Sequence, residues 1–325
     1  MMVLLTGGSG SGKSDAAERL AMRLEPGRKR YVATMLPGDA ESVRRIARHR
    51  RMRQGRQFFT TECAHHLEEL DVGPEETVLV ECLSNLLANE MFCPEGRGNE
   101  AVPVILDGIR RLEKSCRNLI LVTNDVFGDG VSYGAETGAY VRALGEINRV
   151  LAAEADEVWE AVCGLPVSIA GGRPGDPEGF GSLLPEEEKR PGRENAMILI
   201  TGGQSQGKSR FAAELAESAG RSCRTLPGPA APREAEGKDL LWDDIHLWVR
   251  EVLRSGADPA EEMAGILADC PPYIAVIPET GCGLVPVDAF ERQFREACGR
   301  VGCLLAEHAQ TVWRLTCGIP QRLKG

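Results

Sequence analysis

Lys13 and Ser14 close a glycine-rich stretch, Gly7-Gly8-Ser9-Gly10-Ser11-Gly12-Lys13-Ser14, that reads G-x-x-x-x-G-K-S. Glycines let such a loop wrap so that successive backbone N–H groups point inward at phosphate oxygens. A helix N-terminus behind the loop adds the positive end of its dipole. Lys13 is then a point charge for the β- and γ-phosphates of a nucleotide, and the Ser14 hydroxyl a ligand for Mg²⁺. Glu81 follows the apolar run Val78-Leu79-Val80 and fits the acidic residue that holds Mg²⁺ directly or through water. The same position also suits a carboxylate that only favours a helix dipole.

A second group of residues pairs a nucleophile with charge. Arg44-Arg45-Ile46-Ala47-Arg48-His49-Arg50-Arg51-Met52-Arg53 gathers cations around one histidine in an acidic protein. Neighbouring positive charge favours the neutral, nucleophilic imidazole, and the arginines can neutralise a triphosphate under attack. On spacing alone, a solvated basic helix face accounts for the stretch better than a catalytic one. Glu62 suits either a surface acid or an acceptor for a purine edge. His65 and His66 fit surface histidines of a helix better than ligands. The Asn124-Asp125-Val126-Phe127-Gly128 stretch follows a buried strand and makes a loop that can touch substrate or simply turn.

These residues need elements to hold them. Met2–Leu5, Tyr31–Ala33, Thr77–Val80, Leu119–Val122 and Glu157–Val162 are short apolar runs expected as central parallel strands. Helical patterns alternate with them over Asp15–Leu24, Asp39–His49, Leu83–Met91, Val102–Ser115 and Gly138–Ala153. Alternation of this kind predicts an α/β layered fold of the P-loop NTPase type with a mostly parallel sheet and ligands at the carboxyl ends of the strands.

The opening stretch recurs. Met197-Ile198-Leu199-Ile200-Thr201-Gly202-Gly203-Gln204-Ser205-Gln206-Gly207-Lys208-Ser209 repeats it almost residue for residue, and Thr311-Val312-Trp313 with Gly318-Ile319-Pro320 repeats Glu157-Val158-Trp159 with Gly164-Leu165-Pro166. We therefore expect two tandem copies: residues 1–170, a Gly/Pro/charge-rich linker over 171–195, and a shortened copy over 196–325. Asp243 takes the place of Glu81 there, so Gly202, Gly207, Lys208, Ser209 and Asp243 make a second candidate nucleotide site. The stretch from Leu226 to Gly237 reads as bare loop, and no counterpart of His49 is present.

Composition narrows the function. The 325 residues carry 42% hydrophobic and 26% charged side chains, as a globular protein with a core does. A net charge of −10 argues against a nucleic-acid partner, which would want a basic surplus. No apolar run approaches the roughly twenty residues of a membrane span. With no positively charged leader, a cytoplasmic location is expected. Eleven cysteines without a C-x-x-C pair are expected as buried free thiols in a reducing compartment.

Taken jointly, T-G-G-x-x-S-G-K-S, Tyr31-Val32-Ala33-Thr34, Arg45-Ile46-x-x-His49-Arg50, Thr61-Glu62-Cys63, Val80-Glu81-Cys82-Leu83 with Asn89, Val122-Thr123-Asn124 and Ala155-Asp156-Glu157-Val158-Trp159 resemble the bifunctional adenosylcobinamide kinase / adenosylcobinamide-phosphate guanylyltransferase family. The resemblance implies GTP, ATP and Mg²⁺ as the small molecules used and adenosylcobinamide as the corrinoid substrate. It puts His49 where the family's histidine is guanylylated. Gly7, Gly8, Ser9, Gly10, Ser11, Gly12, Lys13 and Ser14, then Thr34, Met35, Leu36, Arg50, Arg51, Met52, Arg53, Glu62 and Glu81, fall at nucleotide-contacting positions. It also implies an oligomer, or an internal pseudo-oligomer. The second copy is expected either to serve as a subunit whose rim loop Glu279–Pro286 helps shape the corrinoid site, or to be a duplicate retained only for stability. The family's N-E-x-G-x-G-x-V-P rim motif is altered after Asn124 and better kept around Glu279. Two other readings fit the same residues: a kinase for another small molecule, and a nucleotide-dependent regulatory or scaffolding protein with a degenerate second half.

Overall fold

The computed structural model describes residues 1–24, 27–37, 47, 58–128, 133–172, 197–232 and 239–325. The expected Asp39–His49 helix and the Arg50–Arg53 cluster lie outside the described residues, apart from Ala47, which is helical. The chain forms two compact units, one around a seven-stranded sheet and one around a six-stranded sheet.

In the first unit, β1 (Met2–Thr6), β2 (Lys29–Ala33), β3 (Phe58–Glu62), β4 (Thr77–Glu81), β5 (Asn118–Val122), β6 (Glu157–Val162) and β7 (Leu165–Ala170) stand in the order β3-β2-β4-β5-β1-β6-β7. The pairs β1–β5, β1–β6, β2–β3, β2–β4 and β4–β5 are parallel. Continuous apolar runs suit strands covered on both faces: Val78, Leu79 and Val80 of β4 and Leu119 to Val122 of β5 are all buried. Among the described residues, the sheet is accompanied by α1 (Lys13–Arg23), α2 (Leu83–Phe92), α3 (Ala101–Ser115) and α4 (Ala135–Glu154). On α3, Ile105, Ile109 and Leu112 recur at helical spacing and are buried, so one stripe of an amphipathic helix is removed from water.

The second unit contains β8 (Ile198–Gly202), β9 (Arg224–Pro227), β10 (Leu240–Asp243), β11 (Ile274–Val276), β12 (Thr311–Thr316) and β13 (Ile319–Lys324), ordered β13-β12-β8-β11-β10-β9. Its helices are α5 (Lys208–Ser218), α6 (Ile245–Arg254), α7 (Pro259–Asp269) and α8 (Ala289–His308). Ile200, Leu241, Ile274, Val276 and Leu315 pack with Ala212 and Ala216 of α5. Asp258 and Asp288 cap α7 and α8 by accepting the amides of Ala260 and Glu291, each worth about 1 kcal/mol of helix stability.

Several expectations need correction. The opening helix starts at Lys13 rather than Asp15, and the helix expected from Gly138 starts at Ala135. Strands β3 and β7 were not expected. In the supposed bare loop, Leu226 and Pro227 close β9, where Leu226 is buried and aligned with Trp242. Main-chain pairing with β10 overrides the local Pro/Gly signal. All eleven cysteines are free, but only Cys82 and Cys298 are buried, and Cys317 is exposed. Cys317-Gly318 is the turn between β12 and β13, both residues at positive φ, and Cys163-Gly164 turns from β6 to β7 in the same way. Two consecutive positive-φ residues are what a tight two-residue hairpin demands, and the second one favours glycine.

Candidate functional site

The carboxyl ends of the parallel strands assemble the first site. Register aligns Ala33 with both Glu62 and Glu81, and Glu81 with Val122. Ser14 in the first turn of α1 and Glu81, the last residue of β4, meet at the carboxyl-end rim of the sheet, where ligands bind in open α/β folds. Gly12, at φ +87, occupies the left-handed region just before the first residue of α1. There the chain must reverse into the helix, and an L side chain is strained.

Lys13, the first residue of α1, is only 8% exposed. The Ser14 hydroxyl donates to Glu81 Oε1 at 2.5 Å. Glu81 Oε2 is shielded from solvent and has no hydrogen-bond partner among the described residues. A buried carboxylate oxygen with nothing to accept from is costly unless a cation or water completes it. A hydroxyl and a carboxylate oxygen are the hard donors that Mg²⁺ prefers, so the residues present fit that ion.

Thr34, fully buried after β2, holds Glu81 in place. Its amide and its hydroxyl both donate to the Glu81 carbonyl, at 3.0 and 2.7 Å, and its hydroxyl accepts from the Cys82 amide at 2.8 Å. Asn89 of α2 donates to the Thr34 carbonyl and to the Ala64 carbonyl. Next to Cys82, the Ser84 hydroxyl receives Asn124 Nδ2 at 2.6 Å, and Tyr140 donates to the Ser84 carbonyl. Burial pushes the Tyr140 phenol well above its ordinary range, so it stays a neutral donor.

Met35 is half-buried and Leu36 exposed, just beyond Thr34. Glu62 is exposed at the end of the edge strand β3. The structure thus brings Lys13, Ser14, Thr34 and Glu81 together, while His49 and Arg50–Arg53 lie outside the described residues. His65 and His66 are not on a helix. His66 sits at φ +55 and precedes the short turn Leu67–Glu69. Ser84, Asn89 and Tyr140 received no role from the sequence. Asn89 stands among the residues that carry the family resemblance, whereas Ser84 and Tyr140 are marked only by polarity within otherwise apolar segments.

The second unit repeats the loop with different surroundings. Gly207 is at φ +84 before Lys208, which is also 8% exposed. Lys208 Nζ donates to the Gly203 carbonyl at 2.6 Å, and burial lowers its pKa despite nearby Asp244, Asp243 and Glu279. Ser209 is exposed, and Asp243 Oδ1 accepts from the Asp244 amide. No hydrogen bond among the described residues joins Ser209 to Asp243. Glu279 is held by Arg314 in a two-pronged ion pair at 3.0 and 2.8 Å.

Comparison with known proteins places this geometry. The family model described as cobinamide kinase / cobinamide phosphate guanyltransferase matches residues 3–169 and 224–323. The bifunctional adenosylcobalamin biosynthesis protein CobU of Salmonella typhimurium is 35% identical over 184 residues, covering 52% of this chain and 99% of that protein. CobU of Escherichia coli is 36% identical over 186 residues, with 52% and 99% covered. The bifunctional protein CobP of Pseudomonas aeruginosa is 34% identical over 181 residues, with 53% and 98% covered. Among the described residues, no helix is long and apolar enough to cross a membrane.

Proposed function

The chain belongs to the cobinamide kinase / cobinamide phosphate guanyltransferase family, and from that membership we propose that it phosphorylates adenosylcobinamide and then transfers GMP from GTP to the product. The observation that carries this reading is the Ser14–Glu81 pair beside buried Lys13, a hydroxyl and a carboxylate held at one rim. Lys13 and the loop amides bind the phosphates of the nucleotide. Ser14 and Glu81 would hold Mg²⁺, which when bound offsets charge on the phosphates. Thr34 fixes the Glu81 backbone, so the carboxylate needs little reorganisation when nucleotide arrives.

His49 is the proposed nucleophile for GMP transfer. Its neutral imidazole attacks the α-phosphorus of GTP, a P–N bond forms, and the bond to the β-phosphate oxygen breaks to release pyrophosphate. A phosphate oxygen of adenosylcobinamide phosphate then attacks the same phosphorus and the P–N bond breaks. Dividing one displacement into two lowers each barrier, and Arg50, Arg51 and Arg53 counter the charge that accumulates.

We read residues 196–325 as a shortened second copy of residues 1–170 joined through 171–195. The two matched segments and the two strand orders support this: β8, β9, β10, β11, β12 and β13 follow the order of β1, β2, β4, β5, β6 and β7, with β3 omitted. The catalytic loop is the first one, because the hydroxyl–carboxylate pair is made there and not at Ser209.

Incubating the purified protein with adenosylcobinamide, ATP and GTP and identifying products by mass tests the reading. Adenosylcobinamide phosphate and the GDP-linked corrinoid are the expected products. Turnover of neither, with nucleotide bound, would sink it.

A further inference from the structure

Away from the Ser14–Glu81 rim, three ligand-type side chains converge where the segment after β3 meets α2. His66, Glu68 and Glu90 each offer one ligand atom, and those atoms lie within 4.8 Å of one another. Their hydrogen bonding is incomplete in a patterned way. His66 Nδ1 and Glu68 Oε2 are shielded from solvent and have no hydrogen-bond partner among the described residues. Orphaned buried acceptors are uncommon, and each implies a missing partner.

Charge points the same way. Glu90 is completely buried, an expensive place for a carboxylate. Among the described residues, its two oxygens accept only backbone amides, from His66 at 2.6 Å and Arg97 at 3.0 Å. Glu68 Oε1 accepts from the Arg97 guanidinium at 2.8 Å, which leaves Oε2 free. The exposed Arg97 guanidinium thus meets Glu68 and, at 3.5 Å, Glu69, while Arg97 gives Glu90 its backbone amide. Burial and this acidic surrounding push the neighbouring Cys63 thiol up to about 11.

We propose that His66, Glu68 and Glu90 bind a divalent transition-metal cation of the zinc class. An imidazole nitrogen with two carboxylate oxygens selects such a metal over Mg²⁺ or Ca²⁺, which want oxygen donors alone. Tetrahedral ligands about 2.0–2.2 Å from zinc lie about 3.4 Å from one another. Side-chain adjustments of up to about 1.4 Å therefore close the site. Three protein ligands leave a fourth position for water. The backbone bonds from His66 and Arg97 to Glu90 orient that carboxylate, as supporting hydrogen bonds do in metal sites. A bound ion would fasten the Ala64–Glu69 segment to α2, whose Asn89 already holds Ala64 and Thr34.

The test is a Co²⁺ titration of the full-length protein in excess Mg²⁺, read by visible absorption and by competition with Zn²⁺. His66→Asn suits the fold because asparagine tolerates the left-handed backbone at φ +55, and Glu68→Gln keeps an acceptor for Arg97. Wild type and Glu81→Gln are expected to bind one equivalent alike. Both His66→Asn and Glu68→Gln should weaken binding at least ~10-fold, the low end of what even supporting groups contribute, with unchanged circular dichroism. No Co²⁺ binding by wild type at micromolar protein, or wild-type affinity in either variant, would overturn the proposal.

Discussion

Ser14 and Glu81 are separated by 67 residues in sequence, yet the serine hydroxyl donates to the glutamate carboxylate at 2.5 Å. The contact exists because β4 lies two strands from β1, with only β5 between them, and both end at the same rim. Glu81 contributes one oxygen to Ser14, and the other has no hydrogen-bond partner among the described residues.

That division predicts the behaviour of Glu81→Gln. The amide still accepts from Ser14 but has lost the charge that a divalent ion needs. Turnover with Mg²⁺-nucleotide should fall by on the order of 10²–10³, comparable to losing one preorganised electrostatic group. Nucleotide binding measured in excess chelator should change little. Equal losses in the two assays would mean that Glu81 supports the loop rather than the ion.

Thr34 is the second position to change. Its hydroxyl accepts from the Cys82 amide and donates to the Glu81 carbonyl inside the protein. Thr34→Val keeps the shape and leaves the buried Cys82 amide without its acceptor, at about 1–3 kcal/mol, while the Glu81 carbonyl keeps the Thr34 amide. Urea midpoints should drop accordingly, and Thr34→Ser should recover most of the loss.

The sequence made some of this legible and hid the rest for identifiable reasons. Val78-Leu79-Val80 and Leu119 to Val122 announce central strands because burial on both faces demands unbroken apolar runs. β3, by contrast, is the edge strand Phe58–Glu62, where Phe59 and Glu62 stay exposed and no such run is needed. β9 is only four residues long and ends in proline. Lys13, Ser14 and Glu81 could be named from motif and spacing. The Thr34 clamp could not, because its partners are backbone atoms of residues 47 and 48 positions away. The His66–Glu90 approach likewise depends on how a loop and a helix pack, which no local pattern encodes.

His49 carries a prediction that depends only on chemistry. With GTP labelled at the α-phosphorus, the wild-type protein should acquire an acid-labile, base-stable adduct, as a phosphoramidate does. His49→Ala should form none while still binding nucleotide and retaining any kinase step. Undiminished labelling of His49→Ala would move the nucleophile elsewhere.

The two loop lysines should behave differently although both are 8% exposed. Lys13→Ala removes the cation proposed to offset phosphate charge beside a formed Ser14–Glu81 pair, so both reactions should slow by about 3–4 kcal/mol in barrier. Lys208→Ala acts where Ser209 is exposed and Asp243 turns to its own neighbour's amide. Turnover should stay within a factor of about two of wild type. Comparable losses for Lys208→Ala would make the second loop catalytic.

The last prediction concerns acid stability and Arg30–Glu76, an ion pair between β2 and the residue preceding β4. Arg30 Nε and Nη2 donate to the two Glu76 oxygens at 2.7 and 3.0 Å, and Nη1 donates to Thr61 at 2.9 Å. Both side chains are largely buried, at 13% and 9% exposure. The Arg30 hydrogen bonds hold the Glu76 carboxyl below its ordinary range, and Glu76 in turn raises Arg30. A carboxyl depressed in the folded state binds its proton more readily when unfolded, so stability rises with pH across that interval. The contribution is therefore complete above the unfolded carboxyl value near 4.5 and is lost as pH falls through the lower folded value. Glu76→Ala strands a buried guanidinium and should cost about 3 kcal/mol at pH 7, the low end for breaking a buried pair. Denaturation midpoints of wild type and variant, measured from pH 7 down to about 3, should converge below about pH 4.5. A gap that stays constant throughout would show that Glu76 acts by packing and not by charge.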